Sequence, residues 1–263
     1  MIGRIVALAL NTFREAVRNR ILYSLLFFAI AMILSALVLG QLSVNEEARV
    51  TRDLGLGGIS LFGVLIAIFV GVNLVYKEID KKTVFSLVSK PIRRFELILG
   101  KFAGMKLTLA VQVAIMGVFL CVVLLIQGEP IEPALLRALV LTFLEVLVIT
   151  SIAILFSSFS SPFLSGAFTL GLFVIGRSLP ELRELIGKLE IGGARDIIAV
   201  VLHVVPDLRL FYVSGAMVDG HYISIHGDFV SWGYVLSAGL YAVGYIGCAL
   251  ALSSLFFSRR DFV

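Results

Sequence analysis

The chain has 263 residues, of which 59% are hydrophobic and only 15% charged, with 22 Lys and Arg against 18 Asp and Glu for a formal net charge of +4. Soluble domains are about half apolar and a quarter charged, so this composition excludes an ordinary soluble enzyme and points to a chain whose apolar surface faces lipid. Its two cysteines, Cys121 and Cys248, both stand inside apolar runs, which argues against a disulfide framework or a thiolate metal site.

Residues 1–20 hold one short apolar stretch and then Arg14, Glu15, Arg18 and Arg20, which is not the layout of a cleaved signal peptide. Ile2, Ile5, Val6, Ala9, Phe13, Ala16 and Val17 recur at roughly helical spacing, with Arg4, Asn11, Arg14 and Arg18 elsewhere on the wheel. This pattern predicts an amphipathic helix lying along the membrane surface.

A hydrocarbon core of ~30 Å takes about 20 helical residues to cross. Uncharged runs of that size at 21–42, 54–76 and 107–127 give three spans. From 138 to 176 the sole charge is Glu145, and the run is too long for one helix. The polar, proline-containing stretch "SSFSSP" at 157–162 divides it into a tight helical pair, with a shallow re-entrant hairpin as the alternative. A last run, 229–258, carries Trp232, Tyr234, Tyr241 and Tyr245 and supplies a sixth span, with Trp232 suited to the interfacial belt. The stretch 177–228 is the largest piece outside the spans. It holds helix-like segments at 181–190 and 194–204, separated by Gly192-Gly193, and is too short for a separate domain. No internal repeat or low-complexity segment interrupts the chain. The expected fold is therefore all-α: one membrane domain over 1–263 with six transmembrane helices.

Six spans put both termini on one side. The N-terminal arm carries four basic residues, the segment 77–106 eight and the tail two, while the other face has eight basic against twelve acidic residues. The positive-inside rule then makes the termini and the 77–104 segment cytoplasmic and 177–228 extracytoplasmic.

Chemistry-bearing patterns are sparse, and no catalytic residues are expected. His203, His221 and His226 are the only histidines, without HExxH spacing; a metal site with Asp219 or Asp228 competes poorly with a solvated loop. There is no GxSxG elbow. Leu99-Gly100-Lys101 hints at a phosphate loop, but Phe95 and Phe102 occupy the positions that need Gly and Ser or Thr. Any ATP-driven work must then come from another subunit. Glu145 is the one ionisable group well inside a span, where an uncompensated charge costs ~3 kcal/mol or more. It should be protonated, paired or facing water, either bonded to a neighbouring helix or acting with Asn73 and Gln112 as a substrate-path or interface group. Asn73 and Gln112 fit helix-to-helix bonding equally well.

In "YKEIDKKTVFSLVSKPIRRFELILGKF", Asp80 can cap a short helix with Val84, Leu87 and Val88 on one face. Pro91 breaks it, and Phe95, Ile98 and Leu99 form a second amphipathic turn. A polybasic strip on anionic lipid explains the charge, but not the order of residue types. That order resembles the ABC-2-type ABC transporter permeases, which carry after the second span an acidic residue, a Gly-Thr opening a short helix, a proline followed by Ser-Arg, and Gly-Lys leading into the third span. Here these positions read Glu78, Lys82-Thr83, Pro91, Arg93-Arg94 and Gly100-Lys101, with Lys82 and Arg93 departing from the pattern. The amphipathic arm, six spans, larger outer loop and basic tail resemble the family along essentially the whole chain.

The resemblance implies a permease subunit of the cell membrane that pairs with a second permease copy, identical or different. It would dock two ABC ATPase subunits, bind no cofactor and no nucleic acid itself, and leave ATP to those partners. The segment between spans two and three would be the coupling helix, with Glu78, Thr83, Pro91, Arg94 and Lys101 in that role and Val84, Phe85 and Leu87 as an apolar anchor. Export is the family's more common direction, and a stand-alone secondary transporter or channel is the alternative. The substrate does not follow from these residues.

Overall fold

The computed structural model of the chain describes residues 2–41, 47–80, 94–188, 204–212, 217–218, 221–222 and 231–259. Eight α-helices follow one another: α1 (Ile2–Val17), α2 (Arg20–Gln41), α3 (Glu47–Asp80), α4 (Arg94–Ile126), α5 (Pro133–Ser157), α6 (Pro162–Arg177), α7 (Leu179–Lys188) and α8 (Trp232–Arg259). A 3-10 turn, Leu208–Phe211, and the two-residue strands β1 (Met217–Val218) and β2 (His221–Tyr222) complete the regular structure among the described residues. The strands pair antiparallel with Met217 opposite Tyr222.

Five of these helices are long and apolar enough to cross a bilayer: α2, α3 over Glu47–Asn73, α4 over Phe95–Ile126, α5, and α8 over Trp232–Phe256. The chain is a multi-pass, all-helical membrane protein. The fifth expected span in chain order is α6, which has only 16 residues. It rises about 24 Å at about 1.5 Å per residue, short of the ~30 Å core. The turn between α5 and α6 falls at "SSFSSP", as the sequence suggests. Pro133 and Pro162 stand in the first turns of α5 and α6, where the missing N–H costs nothing and the fixed φ suits the helix.

The most apolar windows of α3 and α5 are 72% and 67% buried, whereas those of α2 and α8 are 22% and 28% buried, so α3 and α5 form the centre and α2 and α8 the rim. Val64, Ala67 and Val70 of α3 meet Val146, Ile149 and Ala153 of α5 and Met105 of α4 in the main core. A second cluster joins Ile33 of α2, Leu56 and Ile59 of α3, and Met116 and Leu120 of α4. Phe27, Phe28 and Val38 on α2 and Leu236, Leu240 and Val243 on α8 point outward. Lipid removes the penalty that such apolar faces would carry in water. Inside the bundle, Thr142, Thr150 and Ser151 donate to their own helix's carbonyls, so no free hydroxyl is left in α5's core face at those positions.

The helix α1 is seated on the first turns of α4. A Cβ on Gly100 would stand 2.6 Å from the Leu8 Cβ, and one on Gly104 would stand 2.6 Å from the Ala9 carbonyl oxygen and from the Thr12 Cβ. Glycine at these two positions, one helical turn apart, is what lets the backbones approach so closely. Leu8 and Phe102 then join Leu97, Ile98, Ile154 and Leu250 in a small cluster that ties α1 to α4, α5 and α8. Three faces result on α1: Thr12 and Ala16 are buried, Val6 and Leu10 are exposed and apolar, and Arg4, Asn11 and Arg14 are exposed and polar, followed by the exposed Arg18 just past its end. The helix expected to lie along the membrane surface has one face packed on α4.

The stretch 177–228 does not lie wholly outside the bundle. Tyr245 donates its hydroxyl to the Val204 carbonyl at 2.9 Å, the Tyr241 hydroxyl accepts from the Asp207 N–H at 3.0 Å, and Tyr234 donates to the Leu210 carbonyl at 2.8 Å. Residues 204–212 therefore run alongside α8 over about 16 Å, from its middle to its outer end. Leu208 and Phe211 enter the main core, and the Pro206 carbonyl lies 2.8 Å from where a Gly176 Cβ would stand. The segment occupies the space above the short α6. Irregular backbone survives at membrane depth only where protein satisfies its polar groups, and the tyrosine hydroxyls do so here.

Candidate functional site

Glu145 sits midway along α5 and is fully buried, at 0% exposure. Its carboxylate accepts from the Ser60 hydroxyl of α3 at 2.6 Å and from Arg177 Nε at 3.1 Å. Arg177 Nη2 donates to the Ser60 oxygen at 3.0 Å, and its guanidinium lies 4.0 Å from the Tyr212 ring centroid and 5.3 Å from that of Phe173. Arg177 closes α6, where a cation complements the helix dipole. One guanidinium thus joins α3, α5, α6 and the 204–212 segment at the level where α6 stops. Glu145 is thus hydrogen-bonded to two neighbouring helices, through Ser60 of α3 and Arg177 of α6.

The sequence reading placed Arg177 at the start of the outer loop and missed its partnership. A signal was available: a lone intramembrane acid needs a partner, and counted outward from the 158–161 turn Glu145 and Arg177 lie at nearly the same distance, within one helical turn. The nearest basic residue across the hairpin was the natural candidate.

A second ionic cluster closes the opposite end of the central helices from α1. Arg52 of α3, 2% exposed, reaches Glu129 and Glu132 of the α4–α5 turn at 3.4 Å each. Beside it the Gln127 amide donates to Thr51 Oγ1 at 3.0 Å. Arg52 fixes the start of α3 to the next hairpin.

Asn73 and Gln112 do not converge on Glu145. Asn73 lies about 20 Å along α3 from Ser60, and its amide donates to the Phe69 carbonyl of its own helix at 2.6 Å. Gln112, on α4, is 4% exposed, and its Oε1 accepts no hydrogen bond among the described residues.

Of the residues expected to meet an ATPase, Thr83, Val84, Phe85, Leu87 and Pro91 lie outside the described residues. Glu78 and Arg94 belong to the ends of α3 and α4. Lys101 is only 5% exposed, and Gly100 faces α1, so this pair is turned inward rather than toward solvent. The helix α4 begins at Arg94, not near 107, so the second amphipathic turn is continuous with the third span. His203 and His226, with Asp219 and Asp228, also lie outside the described residues, and no cluster able to hold a metal occurs among those described.

Among the described residues, a bundle of five long helices and one short one, with a packed N-terminal helix and an inserted irregular segment, defines a polytopic membrane domain. Residues 6–262 match the family model described as ABC-2 family transporter protein, and the chain belongs to that family. A comparison with curated proteins returns no match.

Proposed function

We propose that the chain is the permease subunit of an ATP-driven exporter of the cell membrane, working with ABC ATPase subunits and a second permease copy, its termini cytoplasmic. The observation that carries this reading is the family match over nearly the whole chain, joined to a sequence with no phosphate loop of its own. The helical framework supports a coupling role for 77–104. The helix α3 continues past its uncharged run, which ends at Tyr76, to Asp80, and α4 starts at Arg94. Two long helices therefore flank residues 81–93 and run from there into the core, so a push on that segment acts directly on the central helix and on the helix that seats α1. In this reading Thr83, Val84, Phe85 and Leu87 meet the ATPase, Glu78 and Arg94 set register at the helix ends, Pro91 shapes the elbow, and Lys101 stiffens α4 from within.

The test is co-purification of the tagged chain with its ATPase in detergent, followed by ATP hydrolysis by the complex. Replacing Val84 and Phe85 with Asp should abolish both recovery and hydrolysis, while the bundle keeps its unfolding midpoint. Normal ATPase recovery with these variants would overturn the coupling assignment. Solute flux in liposomes containing the chain alone would instead establish a stand-alone transporter or channel.

A further inference from the structure

Two cavities meet at Asn73. The first, of about 860 Å³, lies at the elbow between α1 and α2 and is walled by Arg14, Arg18 and Arg20 with Asn11, Asn19 and a single acid, Glu15. The second, of about 420 Å³, runs between α3 and α6 and is lined by Leu65, Ile68 and Val72 on one side and Phe163, Ala167 and Leu170 on the other. Asn73 belongs to both walls and is the one polar side chain of the second.

We propose that these two cavities are one binding site for an anionic phospholipid, with the phosphate among the arginines and an acyl chain between α3 and α6. Charge favours this occupant, because among the described residues three arginines face one glutamate in the polar half. Position favours it too: the uncharged run of α3 ends at Tyr76, within one helical turn of Asn73, so the arginines stand close to where headgroups begin and the groove where hydrocarbon begins. Depth decides between a lipid and a partner helix. From Asn73 to Leu65, and from Pro162 to Leu170, the groove extends about 12 Å, close to the ~15 Å of one leaflet. A transmembrane partner helix would have to continue past Arg177, where α6 ends and residues 206–208 pack against Gly176 instead. Small residues form the floor: a Cβ on Gly166 would stand 3.5 Å from the Ile68 Cγ2. Phe163, 85% exposed, flanks the mouth. The site is independent of the transport reading, since a lipid held here anchors the α1–α2 elbow whatever the bundle moves.

The experiment is native mass spectrometry of the full, delipidated chain titrated with phosphatidylglycerol and, separately, with phosphatidylcholine of the same acyl chains. One saturable phosphatidylglycerol should bind more tightly than phosphatidylcholine, and each arginine removed should weaken it by about fivefold. In Arg14→Gln/Arg18→Gln/Arg20→Gln the two lipids should bind alike. Ala167→Phe, which fills the groove, should weaken both lipids while preserving their difference. Should the triple variant fail to fold, Arg18→Glu alone, on the exposed face of α1, should lower the preference. Equal binding of the two lipids to the natural chain overturns the proposal, as does an undiminished preference in the arginine variants. Displacement of phosphatidylglycerol by inorganic phosphate alone would show a simple anion site and would equally overturn it.

Discussion

Replacing Arg177 with Met should destabilise the bundle by about 3 kcal/mol, because it strands a carboxylate at a depth where an unpaired charge carries that order of cost. Glu145 is fully buried, and only the Ser60 hydroxyl would remain to serve it. The lower end of the range for broken buried pairs applies, since the Arg177 side chain is 24% exposed and water reaches the site from its side. Glu145→Gln should cost less, about 1–2 kcal/mol, because the amide oxygen still accepts from Ser60 or Arg177. The joint variant Glu145→Gln/Arg177→Met should return to within about 2 kcal/mol of the natural chain, because no charge is left stranded, the remainder being the lost stacking on Tyr212. The cycle would then close with a coupling of about 2 kcal/mol. Unfolding in mixed micelles of rising dodecyl sulfate content can be followed through Trp232, the only tryptophan. Additive single effects, or an Arg177→Met cost below about 1 kcal/mol, would refute the pairing as a structural tie.

Gly104→Val should unseat α1, since its Cβ would meet the Ala9 carbonyl oxygen at 2.6 Å; overpacking of this kind costs about 1–3 kcal/mol. The readout is alkylation of Thr12→Cys, protected at 5% exposure in the natural background and reactive in the variant, with Gly171→Ala, where nothing lies within 4 Å, as the silent control. Tyr241→Phe removes the acceptor of the Asp207 N–H and should speed deuterium exchange there by about fivefold, the equivalent of one ordinary hydrogen bond. The Arg209 N–H, held by the Asp207 carboxylate at 3.1 Å, serves as the internal reference, and unchanged exchange at Asp207 would refute the anchoring role of Tyr241.

Hydropathy made the rim and centre of the bundle legible, because runs such as 21–42 and 229–258 carry no competing signal and end close to where α2 and α8 end. It failed where charge and helix coexist. The helix of the third span, α4, starts at Arg94 because Glu96 and Lys101 are compatible with a helix and are buried against the chain, whereas a search for uncharged residues begins only at 107. The seat of α1 was written in the Gly100 and Gly104 spacing, but motif order drew attention to Gly100 alone. The inserted 204–212 segment was illegible by hydropathy, since Asp207 and Arg209 read as outer-loop residues. Their charges are satisfied locally, by the Asp207–Arg209 contact and by Glu181 at 3.9 Å from Arg209. What marked the insertion was the placement of Tyr234, Tyr241 and Tyr245 on one face of the last helix, a row of donors and acceptors that lipid could not serve.

That row has a consequence for how the protein can change over time. All three hydroxyls grip main-chain atoms, so the attachment of residues 204–212 to α8 is indifferent to which side chains the segment carries. Substitutions at Val204 or Leu210 leave those bonds in place, while Leu208 and Phe211 are bound to the core. The outer half of the bundle therefore holds two exchangeable positions on a fixed mount, and its chemistry can be altered there without rebuilding the helices that support it.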